Sequence, residues 1–184
     1  MALNSTIHKV ELSLADMDRH RYGDYPLTVA QHPSETAERV MVRVLGFAML
    51  AQEGLGFGRG LSTDEDPDLQ VIDLTGAMQT AVLVGLPDEK LVRQFCGRAD
   101  EVVILAFGQA KRDVWWRRSR TALRQLDHLT VYGLASEATE ALADLLRRSV
   151  RLSVTIQDGE YLLSSADGAV TVVPELLKAK KPGK

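Results

Sequence analysis

Cysteine is nearly absent from this sequence: Cys96 stands alone among 184 residues. That excludes an intrachain disulfide and fits a reducing compartment. The fold must therefore rest on a hydrophobic core, and at this length a single domain buries roughly two thirds of the surface its unfolded form exposes. No apolar run reaches the ~18 residues of a membrane-spanning helix, and the opening Met1-Ala2-Leu3-Asn4-Ser5 lacks the basic and apolar regions of a secretory signal. A cytoplasmic protein without a membrane partner is expected. Charge of one sign is missing too, since a net charge of -3 points to neither an acid-rich nor a base-rich partner. The chain has no Gly-Lys-Ser/Thr phosphate loop, no Cys/His zinc spacing, no internal repeat and no low-complexity tract.

What the chain does have is a long apolar segment, residues 40–51, headed by His32-Pro33-Ser34-Glu35-Thr36-Ala37-Glu38-Arg39. Ser34 is a suitable N-cap after a proline that cannot donate, so a helix is expected to begin there. At about 100° per residue Glu38 lies in line with Val42, Leu45 and Met49, with Glu35 beside it. Acids in a first turn complement the helix dipole, yet a carboxylate aimed at the core must be hydrogen-bonded, paired or metal-bound.

Before this helix, residues 7–14 alternate in polarity and residues 26–30 are extended, with turn chemistry at 16–24, which predicts a hairpin. After it come glycines 54, 56, 58 and 60 and the acidic run Asp64-Glu65-Asp66-Pro67-Asp68. The glycines follow a helix and open no helix, so they do not make a dinucleotide loop. The acids at 64, 66 and 68 lack the glycine and bidentate acid of a calcium loop, so a solvated loop is expected. Strands 70–74 and 78–84 form a second hairpin. From residue 87 the chain alternates: helix 87–99, strand 102–107 apolar on both faces, helix 110–126, strand 129–134, then a helix capped by Ser136. This order predicts parallel crossovers and an α/β (α+β) fold with a mixed central sheet flanked by helices. Antiparallel hairpins return between residues 150 and 173, so the hairpins of the two ends are expected to pack together as an extra layer. One domain, 1–177, is expected, followed by a disordered basic tail, 178–184.

Two features carry chemistry. Cys96 with the scattered His8, His20, His32 and His128 resembles a nucleophile set only in composition, because Cys96 falls mid-helix where small apolar side chains pack. More specific is residues 111–124, with Lys111, Arg112, Arg117, Arg118, Arg120 and Arg124 beside Trp115 and Trp116 and only Asp113 as an acid. Arginines with aromatics suit phosphates and unpaired bases, by charge neutralisation and stacking. The alternative is a solvated basic face with an indole packed inward.

His32-Pro33-Ser34-Glu35-Thr36 with Glu38-Arg39, Phe57-x-Arg59-Gly60-Leu61, Gly85-Leu86-Pro87-Asp88-Glu89, Trp115-Trp116 and Thr155-Ile156-Gln157-Asp158-Gly159 resemble the YaeQ family from residue 1 to about 175. The resemblance implies a variant of the restriction-endonuclease-like, PD-(D/E)XK core. Such a core draws a glutamate from its first helix, acids from the next hairpin and a lysine from the following strand, and it binds magnesium. The resemblance places acids at the positions of Gln79 and Leu83, and glycine at the lysine position, here Gly85. What remains is Glu38, Asp73 and Gln79 as magnesium ligands, Lys90 as a migrated cation with Arg93 as its substitute, and Ser34, Glu35 and Arg39 in support.

Two roles follow as expectations. One is a nucleic-acid-associated or protein-binding module, catalytically silent because the hairpin has lost carboxylates. The other is a magnesium-dependent phosphodiesterase acting on DNA or RNA.

Overall fold

The structure, a computed structural model, describes residues 4–59 and 66–182. Gly60, Leu61, Asp64 and Glu65 of the glycine and acidic runs lie outside the described residues, as does the end of the basic tail at 183–184. The chain begins with a hairpin of β1 (Thr6–Asp16) and β2 (Arg21–Gln31), paired without interruption from Thr6↔Gln31 to Asp16↔Arg21. The turn shrinks to residues 17–20 because His20 adopts φ 53 and reverses the chain locally. The alternation in β1 sends Val10, Leu12 and Leu14 inward.

Helix α1 (Ala37–Leu50) starts later than its sequence implies. Thr36 is the cap, its hydroxyl accepting from the Arg39 backbone N–H at 3.2 Å, while the Ser34 hydroxyl lies 2.7 Å from His32 Nδ1. Glu35 therefore precedes the helix. Every residue from Val40 to Met49 is buried, so the helix has no polar face in its middle. A helix apolar all round must be enclosed, and two sheets enclose this one.

Beyond α1, β3 (Leu55–Phe57), β4 (Leu69–Ile72) and β5 (Met78–Val84) form an antiparallel meander. Then α2 (Glu89–Cys96), β6 (Ala99–Ala106), α3 (Gln109–Leu123), β7 (Leu129–Gly133) and α4 (Ser136–Ala143) follow. β5, β6 and β7 are parallel, as the helix and strand alternation predicts. The C-terminal strands are β8 (Ser149–Gln157), β9 (Glu160–Ser165), β10 (Gly168–Val172) and β11 (Glu175–Lys178). Among the described residues the result is a mixed α+β fold of four helices and two mixed sheets, ordered β10-β9-β8-β1-β2 and β11-β7-β6-β5-β4-β3. The extra layer expected from the terminal hairpins is a full sheet, closed by parallel pairing of β1 with β8.

Strand parity divides the core. Val82, Val84, Val103 and Leu105 face α1 and meet Val10, Leu12 and Val29 of the other sheet. Ala81, Leu83, Val102 and Ile104 face the opposite way, onto Val92 and Phe95 of α2 and Leu123 of α3. This is why β5 and β6 are apolar on both faces.

Two end effects correct the sequence reading. Ser136 does not cap α4; its hydroxyl accepts from the Gln109 N–H at 2.8 Å and so serves the start of α3. The basic tail is not free from residue 178: Lys178 closes β11 and donates to the Leu129 carbonyl at 2.6 Å, and Lys180 and Lys181 pair with Glu101 (2.9 Å) and Asp127 (2.6 Å). Pairing of β11 with β7 carries the segment onto those acids.

We predict that Thr36→Ala lowers stability by about 1 kcal/mol, the usual cost of a lost N-cap, while Ser34→Ala changes it by less than about 0.5 kcal/mol. Urea unfolding of the two variants measures the difference.

Candidate functional site

Arg43 is the only ionic side chain in the apolar segment 40–51, and folding leaves it 1% exposed between the sheets. Such a cation needs an anion. Glu35, held by the segment entering α1, supplies it: Arg43 Nη1 lies 3.1 Å from each Glu35 carboxylate oxygen and 3.0 Å from the Ala30 carbonyl. Arg39, one turn earlier on α1, donates to Glu35 Oε1 at 2.8 Å and to Asp68 Oδ1 at 2.6 Å. The second oxygen of Asp68 accepts from the Val84 N–H at 2.7 Å. Two carboxylates and two guanidiniums thus link β2, α1 and the ends of the β4–β5 pair. Arg43 also stacks over Phe57, 5.5 Å from its centroid, and its Nε has no hydrogen-bond partner among the described residues.

A chain of hydrogen bonds extends this cluster. Gln31 donates to the Glu35 backbone carbonyl at 2.8 Å and its amide oxygen meets His8 Nε2 at 2.8 Å, while His8 Nδ1 meets the Arg147 carbonyl at 2.9 Å. Gly58 seats Asp68 from the other side. Its N–H donates to the Asp68 carbonyl at 3.0 Å, and an added Cβ would lie 1.9 Å from the Pro67 carbonyl oxygen, so only glycine fits. Asp68 is thus no solvated loop acid. Arg43 was legible as the single charge in an apolar run; Asp68 was hidden among Asp64, Glu65 and Asp66.

The residues expected to hold magnesium are not gathered. Glu38 accepts from the Thr139 hydroxyl of α4 at 2.6 Å, on the α1 side of the sheet. Gln79 is exposed at the irregularity where the β4–β5 register shifts, between Thr80 paired with Val71 and Met78 paired with Ile72. Asp73 is consumed by its own turn: its Oδ1 accepts from the Thr75 hydroxyl at 2.6 Å, the Thr75 N–H at 2.8 Å and the Ala77 N–H at 3.0 Å. The Thr75 hydroxyl, followed by the Ala77 amide, holds that carboxyl below its ordinary range. Lys90 is exposed in the first turn of α2, and Arg93 pairs with Glu89 at 2.7 Å. Among the described residues no three His, Cys, Asp or Glu side chains cluster as metal ligands. Of the supporting set, Glu35 and Arg39 meet, while Ser34 remains outside with His32. Cys96 ends α2, where burial pushes its thiol above the ordinary value against the pull of Lys178 and Arg93, so thiolate is disfavoured.

The second expected site is a continuous surface. On α3, Lys111, Arg117, Arg118, Arg120 and Arg124 are exposed, with no side-chain hydrogen bond or ion pair among the described residues. Arg112 is different, since it donates to the Leu134 carbonyl at 3.1 Å and pairs with Asp113 at 3.0 Å and Glu175 at 3.7 Å. The indoles are half-buried against the α2–α3 core, their centroids 6.1 Å apart. Trp115 Nε1 donates to the Pro87 carbonyl at 2.7 Å, which fixes its ring beside the start of α2.

A cleft of about 510 Å³ elsewhere is lined by Asp16, Arg19, Val103, Thr130, Tyr132 and Tyr161. Asp16, fully buried, accepts from the Arg19 backbone and pairs with its guanidinium, which also donates to the Ala48 carbonyl at 3.2 Å. Burial, reinforced by Tyr132, pushes the Tyr161 phenol up to about 12.

A model of the family described as YaeQ protein matches residues 1–174 of this chain. The "Uncharacterized protein YaeQ" of Salmonella typhi is 36% identical over 166 residues, covering 90% of this chain and 92% of its own. The protein of the same description from Escherichia coli (strain K12) is 35% identical over 164 residues, covering 89% and 91%. Among solved structures, the YaeQ protein from Xanthomonas axonopodis pv. citri superposes with a TM-score of 0.93 at 43% identity, covering 97% of this chain and 99% of its own. That from Pseudomonas syringae gives 0.91 at 31%, covering 97% and 98%.

Glu35→Gln leaves two guanidiniums in the core with one carboxylate, and we predict a loss of about 3–5 kcal/mol, read from urea unfolding. Alkali tests the Tyr161 cleft. A phenol with a folded value near 12 against 10.0 unfolded contributes stability that is intact below pH 10 and lost as pH rises toward 12. Tyr161→Phe is therefore expected to flatten the fall of the unfolding midpoint across that window relative to the parent chain.

Proposed function

Given that the chain belongs to the YaeQ family along nearly its whole length, we propose that it is a nucleic-acid-binding protein that holds phosphates on α3, built on a variant nuclease-like scaffold. The observation that carries this is the set of five basic side chains left without ion pairs on one helix of a chain whose net charge is -3. An acidic protein gains nothing for solubility from a concentrated basic face, whereas such a face attracts a polyanion and supplies several phosphate contacts at once. Arg117, Arg120 and Arg124 fall at i, i+3 and i+7, one stripe down the helix, and Lys111 and Arg118 flank Trp115 on an adjoining stripe. The order α1, β4–β5, α2, β6 follows the order of a nuclease core and supports the scaffold reading. Binding without cleavage is favoured, because Asp73 is tied into its turn, Glu38 is engaged by Thr139 of α4, and no three His, Cys, Asp or Glu side chains cluster among the described residues.

Fluorescence anisotropy with labelled oligonucleotides tests the proposal. Affinity is expected to fall log-linearly with salt, by roughly 0.9 per phosphate contact on duplex and 0.7 on single strands, and Arg120→Gln or Arg124→Gln should each make the slope shallower by about one contact. Absence of binding at about 50 mM salt, where screening is weak, rejects the proposal.

A further inference from the structure

The stripe Lys111, Val114, Trp115 and Arg118 repeats at i, i+3, i+4 and i+7, so these four side chains form one wall. Leu86, Asp88 and Glu89 form the other wall, and between them lies a groove of about 560 Å³. The apolar part of its lining is Leu86, Ala110, Val114 and Trp115. Val114 is 38% exposed although apolar, at a position where a solvated basic helix would carry a polar residue.

The charges at the rim are unequal in availability. Asp88 is committed to capping α2, accepting from the Leu91 N–H at 2.8 Å, and Glu89 pairs with Arg93 at 2.7 Å. Lys111 and Arg118 have no ion pair among the described residues. The groove thus presents two unpaired cations, Lys111 and Arg118, next to an apolar slot walled by an indole whose orientation is fixed by its bond to the Pro87 carbonyl. A ligand matching both needs a flat apolar face and an anion a few ångströms from it.

We propose that this groove seats an unpaired nucleobase against Trp115, with the adjoining phosphates on Lys111 and Arg118, so that the preferred ligand is single-stranded nucleic acid. The inference rests on the nucleic-acid reading above and narrows it. A paired base cannot enter, because its faces are already stacked within the duplex. The volume, about 560 Å³, falls within the range of small-molecule sites and leaves room for one nucleoside. Every base offers a π face, so stacking on Trp115 carries little sequence preference. Arg117, Arg120 and Arg124 continue the positive surface for the strand on either side.

The experiment compares three labelled probes in the same buffer: a single strand, a strand of equal length with abasic positions at its centre, and the corresponding duplex. The base-bearing single strand is expected to bind roughly tenfold more tightly than the abasic strand and to quench tryptophan fluorescence, stacking one base being worth a factor of that order. Val114→Asn, a neutral polar change at an exposed position, is expected to bring the base-bearing strand toward the abasic level while the abasic strand, held by phosphate contacts alone, shifts by no more than about twofold. Trp115→Phe should retain most of the preference and Trp115→Ala lose it, with urea unfolding confirming that each variant folds. Equal binding of base-bearing and abasic strands, or equal weakening of both by Val114→Asn, overturns the base seat and leaves phosphate binding by α3 intact. If none of the probes binds, the nucleic-acid reading itself falls and the base seat with it.

Discussion

Placing Arg43 in the middle of an otherwise apolar helix obliges everything around it. A guanidinium cannot be left alone in a dry core, and in this fold the compensating charges come from three separate stretches of chain. Glu35 arrives from the segment leaving β2, Arg39 sits a turn earlier on α1, and Asp68 is the residue before β4. Because Asp68 also takes the Val84 N–H, the ion cluster fixes where β5 ends relative to α1. The two sheets are therefore held in register with the helix between them by directed bonds as well as by apolar contact. An apolar cluster of the same volume would be as stable or more so, but it would not specify which strand end meets which helix turn. The ion cluster is closed on itself, and this is why it serves positioning and not ligand capture: most of its polar atoms already have partners.

Charge elsewhere in the molecule is distributed by a different logic. The ion pairs that secure the tail, Lys180 with Glu101 and Lys181 with Asp127, are short-range and locally neutral. On α3 the cations outnumber any acid within reach, and the single acid among them, Asp113, is taken by Arg112. The apolar side of that helix is anchored by Leu123 and half-buried indoles, which lets its solvent side carry charge without weakening the attachment. Placing repelling charges on one element costs stability, so their concentration there is a feature that folding alone does not require.

Much of the architecture was legible in the chain. Alternation in residues 7–14, the Asp-Gly turns near 158 and 167 and the apolar run 102–107 have periods that survive folding unchanged, and they mark β1, the β8–β10 hairpins and β6 correctly. Caps were less legible, because Ser34 and Ser136 are good capping residues by type while tertiary contacts decide which helix end they serve. The division of the strands into two sheets depends on a parallel pairing of β1 with β8, which leaves no local trace. Of the candidate site, the basic helix could be found by counting charges, and Glu35 by its address at the head of an apolar helix. Asp68 could not be distinguished from its acidic neighbours, and the engagement of Glu38 by Thr139 and of Asp73 by its own turn depends on contacts that no spacing rule reveals.

The same parallel pairing has a temporal side. Lys9 lies opposite Ser149 and Asp16 opposite Ile156, so the first strand meets its second neighbour only across some 140 residues of intervening chain. Hairpins close within microseconds, whereas so distant a contact must wait for slow loop closure and, on the ribosome, for most of the chain to emerge. Until then the inner face of the first hairpin and one edge of β1 are uncovered, and α1 has a wall on one side at most. The last strands to be synthesised are thus the ones that seal the first, so the sheet that begins the chain is completed only when the chain is nearly finished.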